Sequence, residues 1–277
     1  MTATQLSPGS VRPPVRAAGP RPRRASGRHL NLVLGVVGLA VVLGAWQLCA
    51  VTGIVDPNFS SSPSGAFLAL IESIGSGAIW APLGSTLSIV ALGMAISVVA
   101  GIPAGLLIGR NKYLHGLTDP LISIMYSVPY VVFLPMLIFW FGIEMNARLV
   151  IVVWSSLFPL LINVIAGTRN LDPAYTQVSR VYCASRLYTL RAVAFPATLP
   201  YILAGIRQAV GRALIGAIVA ELFMGSSGLG YQVQLQTSNF AMDEAMASIA
   251  VIAVVAIVLT RGVGHLERRF TFWSASD

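Results

Sequence analysis

Six apolar runs, at about 32–51, 83–108, 120–141, 147–166, 199–221 and 244–263, restrict what this chain can become more than any other feature. A helix needs roughly 20 consecutive apolar residues to cross the hydrocarbon of a bilayer. Each run is about that long, and connections that are mostly polar separate them. With 56% hydrophobic and only 10% charged residues, the 277-residue chain lies outside the range of soluble domains. The expectation is an all-α integral membrane protein with six transmembrane helices. Residues 1–28 carry six arginines, no acid and many Pro, Ser and Gly. That composition builds no core, so a disordered basic tail is expected ahead of a single membrane domain over 29–277. The run from Leu32 to Val51 is too long for a signal-peptide core and lacks a convincing cleavage site, so it reads as a retained first span.

Charge orients these spans. Lys112 is the only lysine, and the net +8 comes from arginine. The cations sit between apolar runs rather than on a soluble domain, which marks membrane orientation and not a nucleic-acid partner. If the tail is cytoplasmic, so are 15 of the 18 Lys and Arg residues. Both termini are then inside, and Asp56, Glu72, Glu144, Asp243 and Glu244 face outward. Cys49 and Cys183 fall on opposite sides, which rules out a disulfide between them. Asp243 and Glu244 fit the start of the sixth span as negative charges at a helix N-terminus.

Local signals refine the pattern. Ser64–Gly75 fits a short surface helix, and Asp119-Pro120 reads as N-cap and first helical residue of the third span. Pro129, Pro135 and Pro159 lie within spans, where a proline kinks the helix and frees a carbonyl that a neighbour must bond. No His/Cys/carboxylate cluster has metal-ligand spacing, and no resident cofactor is expected. The only lysine lies between Asn111 and Tyr113, so the chain has no phosphate-binding Gly-x4-Gly-Lys-Ser/Thr loop and is not expected to hydrolyse ATP. Gly225-Ser226-Ser227-Gly228 matches a motif of intramembrane serine proteases. Its nearest histidine, His265, lies a bilayer away, roughly 30 Å, so the glycines read better as a tight turn.

Between the fourth and fifth runs, residues 167–198 form a polar, arginine-dotted insert. Asp172-Pro173 is a helix start, after which Gln177, Val181 and Ala184 or Ser185 share one face, with Val178 and Tyr182 beside it. The exposed Val/Tyr stripe has two outlets: the underside of the bundle, or a groove on a separate cytoplasmic protein. In order, the insert reads Gln177-Val178-Ser179, three residues, Cys183, nine residues, then Val193-Ala194-Phe195-Pro196. This resembles the EAA loop of bacterial ABC-importer permeases, with the family's glutamate and glycine replaced by Gln177 and Cys183. The run Gly101 to Arg110 looks like that family's second-span ending and Leu134 to Ile143 like the end of its third, while Leu199 to Arg207, the run to Ala220-Glu221 and Gly228-Leu229-Gly230 are similar to the nitrate/sulfonate/taurine-type subgroup.

The resemblance implies a type I importer permease in the bacterial plasma (inner) membrane, with a cytoplasmic coupling helix between spans four and five. A cytoplasmic ABC ATPase dimer, which binds ATP-Mg, would grip Gln177, Val178, Ser179, Val181, Tyr182, Cys183, Ala184 and Ser185, with Pro196 closing the motif. A second copy of the chain would complete the pathway, and a substrate-binding protein would dock outside. The solute implied is a small one, of the nitrate, sulfonate or taurine kind, with pyrimidine precursors or other organic solutes as the alternative. An ion-coupled secondary transporter is the rival class, with Glu221 as its thin support. Arg207 and Arg212 lie about 12 and about 20 Å into the fifth span from Leu199. An arginine facing lipid there costs several kcal/mol, so Arg212 should face a pathway or a partner. Gln208 and Arg212 share a face and are candidates to line an anion's path, with Arg207 and Glu221 as further candidates. Glu221 is also placed to pair with Arg148.

Overall fold

The computed structural model describes residues 27–53, 59–143, 145–171, 177, 181–185 and 188–270. Two compact units are distinguished, Met1–Trp46 and Gln47–Asp277. The first is described from Gly27 onward, as the greater part of α1 (Gly27–Val51). Residues 1–26 of the expected tail lie outside the described residues.

All the regular secondary structure among the second unit's described residues is helical. A surface helix α2 (Pro63–Gly75) precedes α3 (Trp80–Arg110), α4 (Lys112–Ser127), a 3-10 turn at Tyr130–Phe133 and α5 (Leu134–Phe141). Then come α6 (Met145–Arg169), a π-helical stretch at Thr189–Ala194, α7 (Phe195–Met224), α8 (Leu229–Ser238) and α9 (Met242–Phe270). Five helices are long and apolar enough to cross a membrane: α1, α3, α6, α7 with the π-helical stretch before it, and α9. α4 and the Tyr130–Phe141 segment, which meet at an angle of 83°, are together long and apolar enough for a sixth, broken span or for a re-entrant turn.

The third span departs from the expectation in two ways. It begins at Lys112, because the Asn111 side chain accepts the N–H groups of Tyr113 and Leu114 and so caps α4. Asp119-Pro120 lies inside the helix instead of opening it. The span also breaks at Val128-Pro129. Pro129 has no N–H to give the carbonyl of Met125, and the Trp154 indole of α6 donates to that carbonyl at 3.2 Å instead. Trp154 also stacks on Phe133 of the 3-10 turn. One side chain thus stabilises the break from both sides.

The core lies where α3, α6 and α7 pack together. Gly101, Gly105 and Gly109 recur every fourth residue along α3, and α6 presses against that row. A Cβ on Gly105 would lie 2.7 Å from the Val164 Cβ, and one on Gly109 would lie 2.6 Å from the Thr168 Cβ. In lipid, where apolar burial gives helices no drive to associate, such close approach supplies the attraction. Fully buried Ser97 and Ser156 add a hydroxyl–hydroxyl contact of 2.8 Å between the same two helices.

Candidate functional site

Three assemblies on this scaffold hold the residues that the sequence singles out: a cavity along α7, a buried carboxylate at that helix's C-terminal end, and the segment that leads into its N-terminus.

The cavity is about 560 Å³. It runs along one face of α7, lined by Ala204, Arg207, Gln208, Gly211, Arg212 and Ile215, with Thr260 and Glu267 of α9 opposite. Arg212, the eighteenth of the thirty residues of α7, lies close to the middle of the helix. Gln208 is fixed by Asn163 of α6, whose amide nitrogen donates to its Oε1 at 2.8 Å. Arg207 contacts Glu267 at 3.1 Å, with the arginine 55% and the glutamate 22% exposed. Five residues separate Arg207 from Arg212, too much rotation for a narrow stripe, yet both line this groove because it spans more than one row of α7. Sequence reasoning missed Glu267. The acid lies sixty residues from its cation, in an arginine-rich terminal stretch that reads as an inner membrane edge.

Glu221 does not line this cavity. It is fully buried and accepts the Thr86 hydroxyl of α3 at 2.9 Å and the Gly230 N–H at 2.9 Å. The Thr86 oxygen in turn accepts the N–H of Leu229. Gly228 supplies the backbone this closure needs: its φ is +106°, and a Cβ there would fall on the Glu221 carboxylate. Arg148, expected as an ion-pair partner, is buried within electrostatic reach but gives its guanidinium to the Ser227 carbonyl at 3.4 Å. The Gly225–Gly228 segment is therefore the turn that carries α7 into α8. The hydroxyl of Ser227 meets that of Ser85 at 3.0 Å.

Of the coupling candidates, Val178 and Ser179 lie outside the described residues, as does the helix start at Asp172-Pro173. Gln177 and Val181 have helical backbone and are exposed. Val181 and Tyr182 are 80% and 81% exposed, so the described bundle leaves these apolar side chains uncovered. Ala184 is half-buried. The Ser185 side chain accepts the Tyr188 N–H and its carbonyl accepts the Thr189 N–H, so Ser185 opens the next helical stretch. Pro196 stands in the first turn of α7, directly after the π-helical stretch.

Cys183 has φ +48°, one of two non-glycine residues with positive φ among those described. This is the position that the loop's spacing assigns to glycine. A left-handed conformation costs a residue with a Cβ about 1–2 kcal/mol. Cys183→Gly is therefore expected to preserve transport and make the segment more resistant to hydrogen exchange, by roughly 1 kcal/mol. Cys183→Val, β-branched, should weaken both, as measured by uptake and by amide exchange over residues 177–190.

Residues 97–271 match the family model for the binding-protein-dependent transport system inner membrane component. The chain belongs to this family. Among relatives of this permease, the taurine transport system permease protein TauC of Escherichia coli (strain K12) is 30% identical over 251 residues, 89% of this chain and 90% of TauC. The putative aliphatic sulfonates transport permease protein SsuC of Bacillus subtilis (strain 168) is 31% identical, covering 92% of both chains. The nitrate import permease protein NrtB of Leptolyngbya laminosa is 26% identical, covering 90% and 94%. In fold, the permease resembles a chain of the inward-facing MetNI methionine ABC transporter, with TM-score 0.60 at 16% identity over 76% of this chain and all of that one. A chain of an amino acid ABC transporter gives TM-score 0.57 at 19% identity, over 68% of this chain and 92% of that one. The permease is thus a multi-pass inner-membrane transport protein with the type I ABC-importer fold.

Proposed function

We propose that this permease forms the translocation pathway of an importer for a small anion bearing a sulfonate, nitrate or similar oxyanion. A separate cytoplasmic ATPase dimer, which binds ATP-Mg, drives it through residues 172–196. The observation that carries this reading is the pair of guanidiniums, Arg207 and Arg212, in one cavity on the fifth span, with Glu267 as the single carboxylate of the lining. Glu267 faces Arg207, so an anion beside Arg212 would neutralise the charge left over in a medium that penalises it. Gln208, fixed by Asn163, adds an amide next to Arg212. Support for the solute class comes from the relatives, whose names refer to taurine, aliphatic sulfonates and nitrate.

In this reading both termini are cytoplasmic, a second copy of the chain completes the pathway, and a binding protein delivers the solute from outside. Nucleotide-driven closure of the ATPases draws the two loops together and switches the spans between two packed states. The chain itself only moves the solute.

The test is Arg212→Gln in the assembled transporter, with uptake of taurine, methanesulfonate and nitrate measured. A hydrogen bond to a charged group is worth about 1.5–3 kcal/mol, so uptake at subsaturating solute should fall roughly ten- to a hundredfold. Membrane insertion and ATPase assembly should be unchanged. Undiminished uptake of an anion that the wild type carries would remove Arg212 from the pathway.

A further inference from the structure

The short helix α2 has no part in the cavity or the coupling segment, and it carries an uncovered apolar stripe. Phe67, Leu68, Ile71 and Ile74 are 62%, 66%, 53% and 48% exposed. They fall within about a third of the helix circumference, with Glu72 at the edge. The helix packs against α9, and Ala66 and Ala69 on the opposite face are half-buried. Thirteen residues reach only about 20 Å, too short to cross roughly 30 Å of hydrocarbon.

Both ends of α2 are tied to the same ends of two spans. Its N-terminus is held by Asp243 of α9, whose Oδ1 accepts the Ser61 hydroxyl at 2.7 Å and the Ser62 N–H at 3.3 Å. Gly65 lies so close that a Cβ there would strike this carboxylate. Asp243 therefore secures the start of α2, a more specific role than the general one of a charge opening the sixth span. The C-terminus of α2 leads through buried Ile79 to Trp80, the first residue of α3. With its ends fixed at the starts of α3 and α9, α2 lies level with the starts of two candidate spans.

We infer that α2 is an interfacial helix, its Phe67–Ile74 stripe sunk into the lipid–water boundary, which anchors the start of α9 to the bilayer through Asp243. Three observations favour lipid as the occupant. The helix packs against α9, whose middle turns expose the apolar side chains Ile249, Val254 and Ile257. Exposed aromatics gather at the same end of the bundle: Trp80, and the edge-to-face pair Phe59–Phe240. Aromatic rings of this kind concentrate where headgroups meet hydrocarbon. Last, a helix that is too short to span and carries an apolar face can meet the bilayer only at its boundary.

The experiment places a nitroxide label at Phe67→Cys, Ile71→Cys or Glu72→Cys in full-length chain carrying Cys49→Ser and Cys183→Ser. The protein is reconstituted into phosphatidylethanolamine/phosphatidylglycerol vesicles, and label accessibility to oxygen and to a water-soluble nickel chelate is compared. The expected oxygen-to-nickel ratio is severalfold higher at 67 and 71 than at 72. Equal nickel access at all three positions would overturn the inference and mark the stripe as a water-exposed surface for a soluble protein. Immobile labels at 67 and 71 that neither reagent reaches would overturn it in favour of a contact with a second copy.

Discussion

Replacing Glu221 by alanine is expected to destabilise the permease more than any substitution in its cavity, and to do so without touching the solute. The carboxylate ends three lines of contact: the Thr86 hydroxyl from α3, the Gly230 N–H at the start of α8, and the positive field of Arg148 on α6. Alanine leaves two of these donors buried without an acceptor, each at about 1–3 kcal/mol, and leaves the Arg148 charge less compensated. Glutamine should be intermediate. Both contacts present hydrogens to Glu221, and an amide offers one oxygen where the carboxylate offers two. The measurement is thermal unfolding of the purified transporter, in which Glu221→Ala should melt well below wild type. Because Thr86 and Glu221 act as one unit, adding Thr86→Val should cost less than the sum of the two single changes. An unchanged melting temperature in Glu221→Ala would show that the network holds nothing together, and would reopen a role for this acid in the pathway.

The apolar runs and the distribution of arginine made the helical membrane fold legible, because membrane thickness converts run length directly into a crossing. What stayed hidden depended on partners distant in sequence. Asp119-Pro120 carries a sound helix-start signal, yet Asn111 caps the helix eight residues earlier, and proline is tolerated within α4. The break at Pro129 was visible as a proline, but the indole that takes over the Met125 carbonyl is twenty-five residues further on. Arg212 and Gln208 could be placed on one face by helical spacing alone. The salt link from Arg207 to Glu267 could not, because it needs the tertiary approach of α7 to α9. Glu221 was open for a related reason. A carboxylate near the end of a span suits either a pathway or a structural pairing, and only the return of Gly228-Leu229-Gly230 over it brings the donors that this carboxylate accepts. Cys183 shows the reverse case, in which the spacing was informative although the residue was not. The loop's spacing puts a glycine there, and the backbone at this position is left-handed.

The second large effect is expected where the chain meets the proposed motor. Val181→Asp with Tyr182→Asp should leave insertion of the permease intact and abolish ATP-driven uptake. In the described structure these side chains cover no part of the bundle, being 80% and 81% exposed, so charging them removes no internal packing. Helix-in-groove docking buries an apolar face against a partner, and each fully buried Val- or Leu-sized side chain contributes about 1.5–3 kcal/mol. Losing two such anchors and burying two carboxylates opposes association twice over, so the ATPase should fail to co-purify. Two measurements separate coupling from folding. The melting temperature of the permease alone should stay at the wild-type value, whereas capture of the ATPase by the tagged permease should fall by at least about tenfold, the equivalent of about 1.4 kcal/mol. If the double variant still binds the ATPase and transports at the wild-type rate, Val181 and Tyr182 do not sit in the groove, and the contact must lie elsewhere in the insert. If instead the isolated permease melts early, the stripe packs against its own bundle during the transport cycle, and the exposed state described above is only one of two.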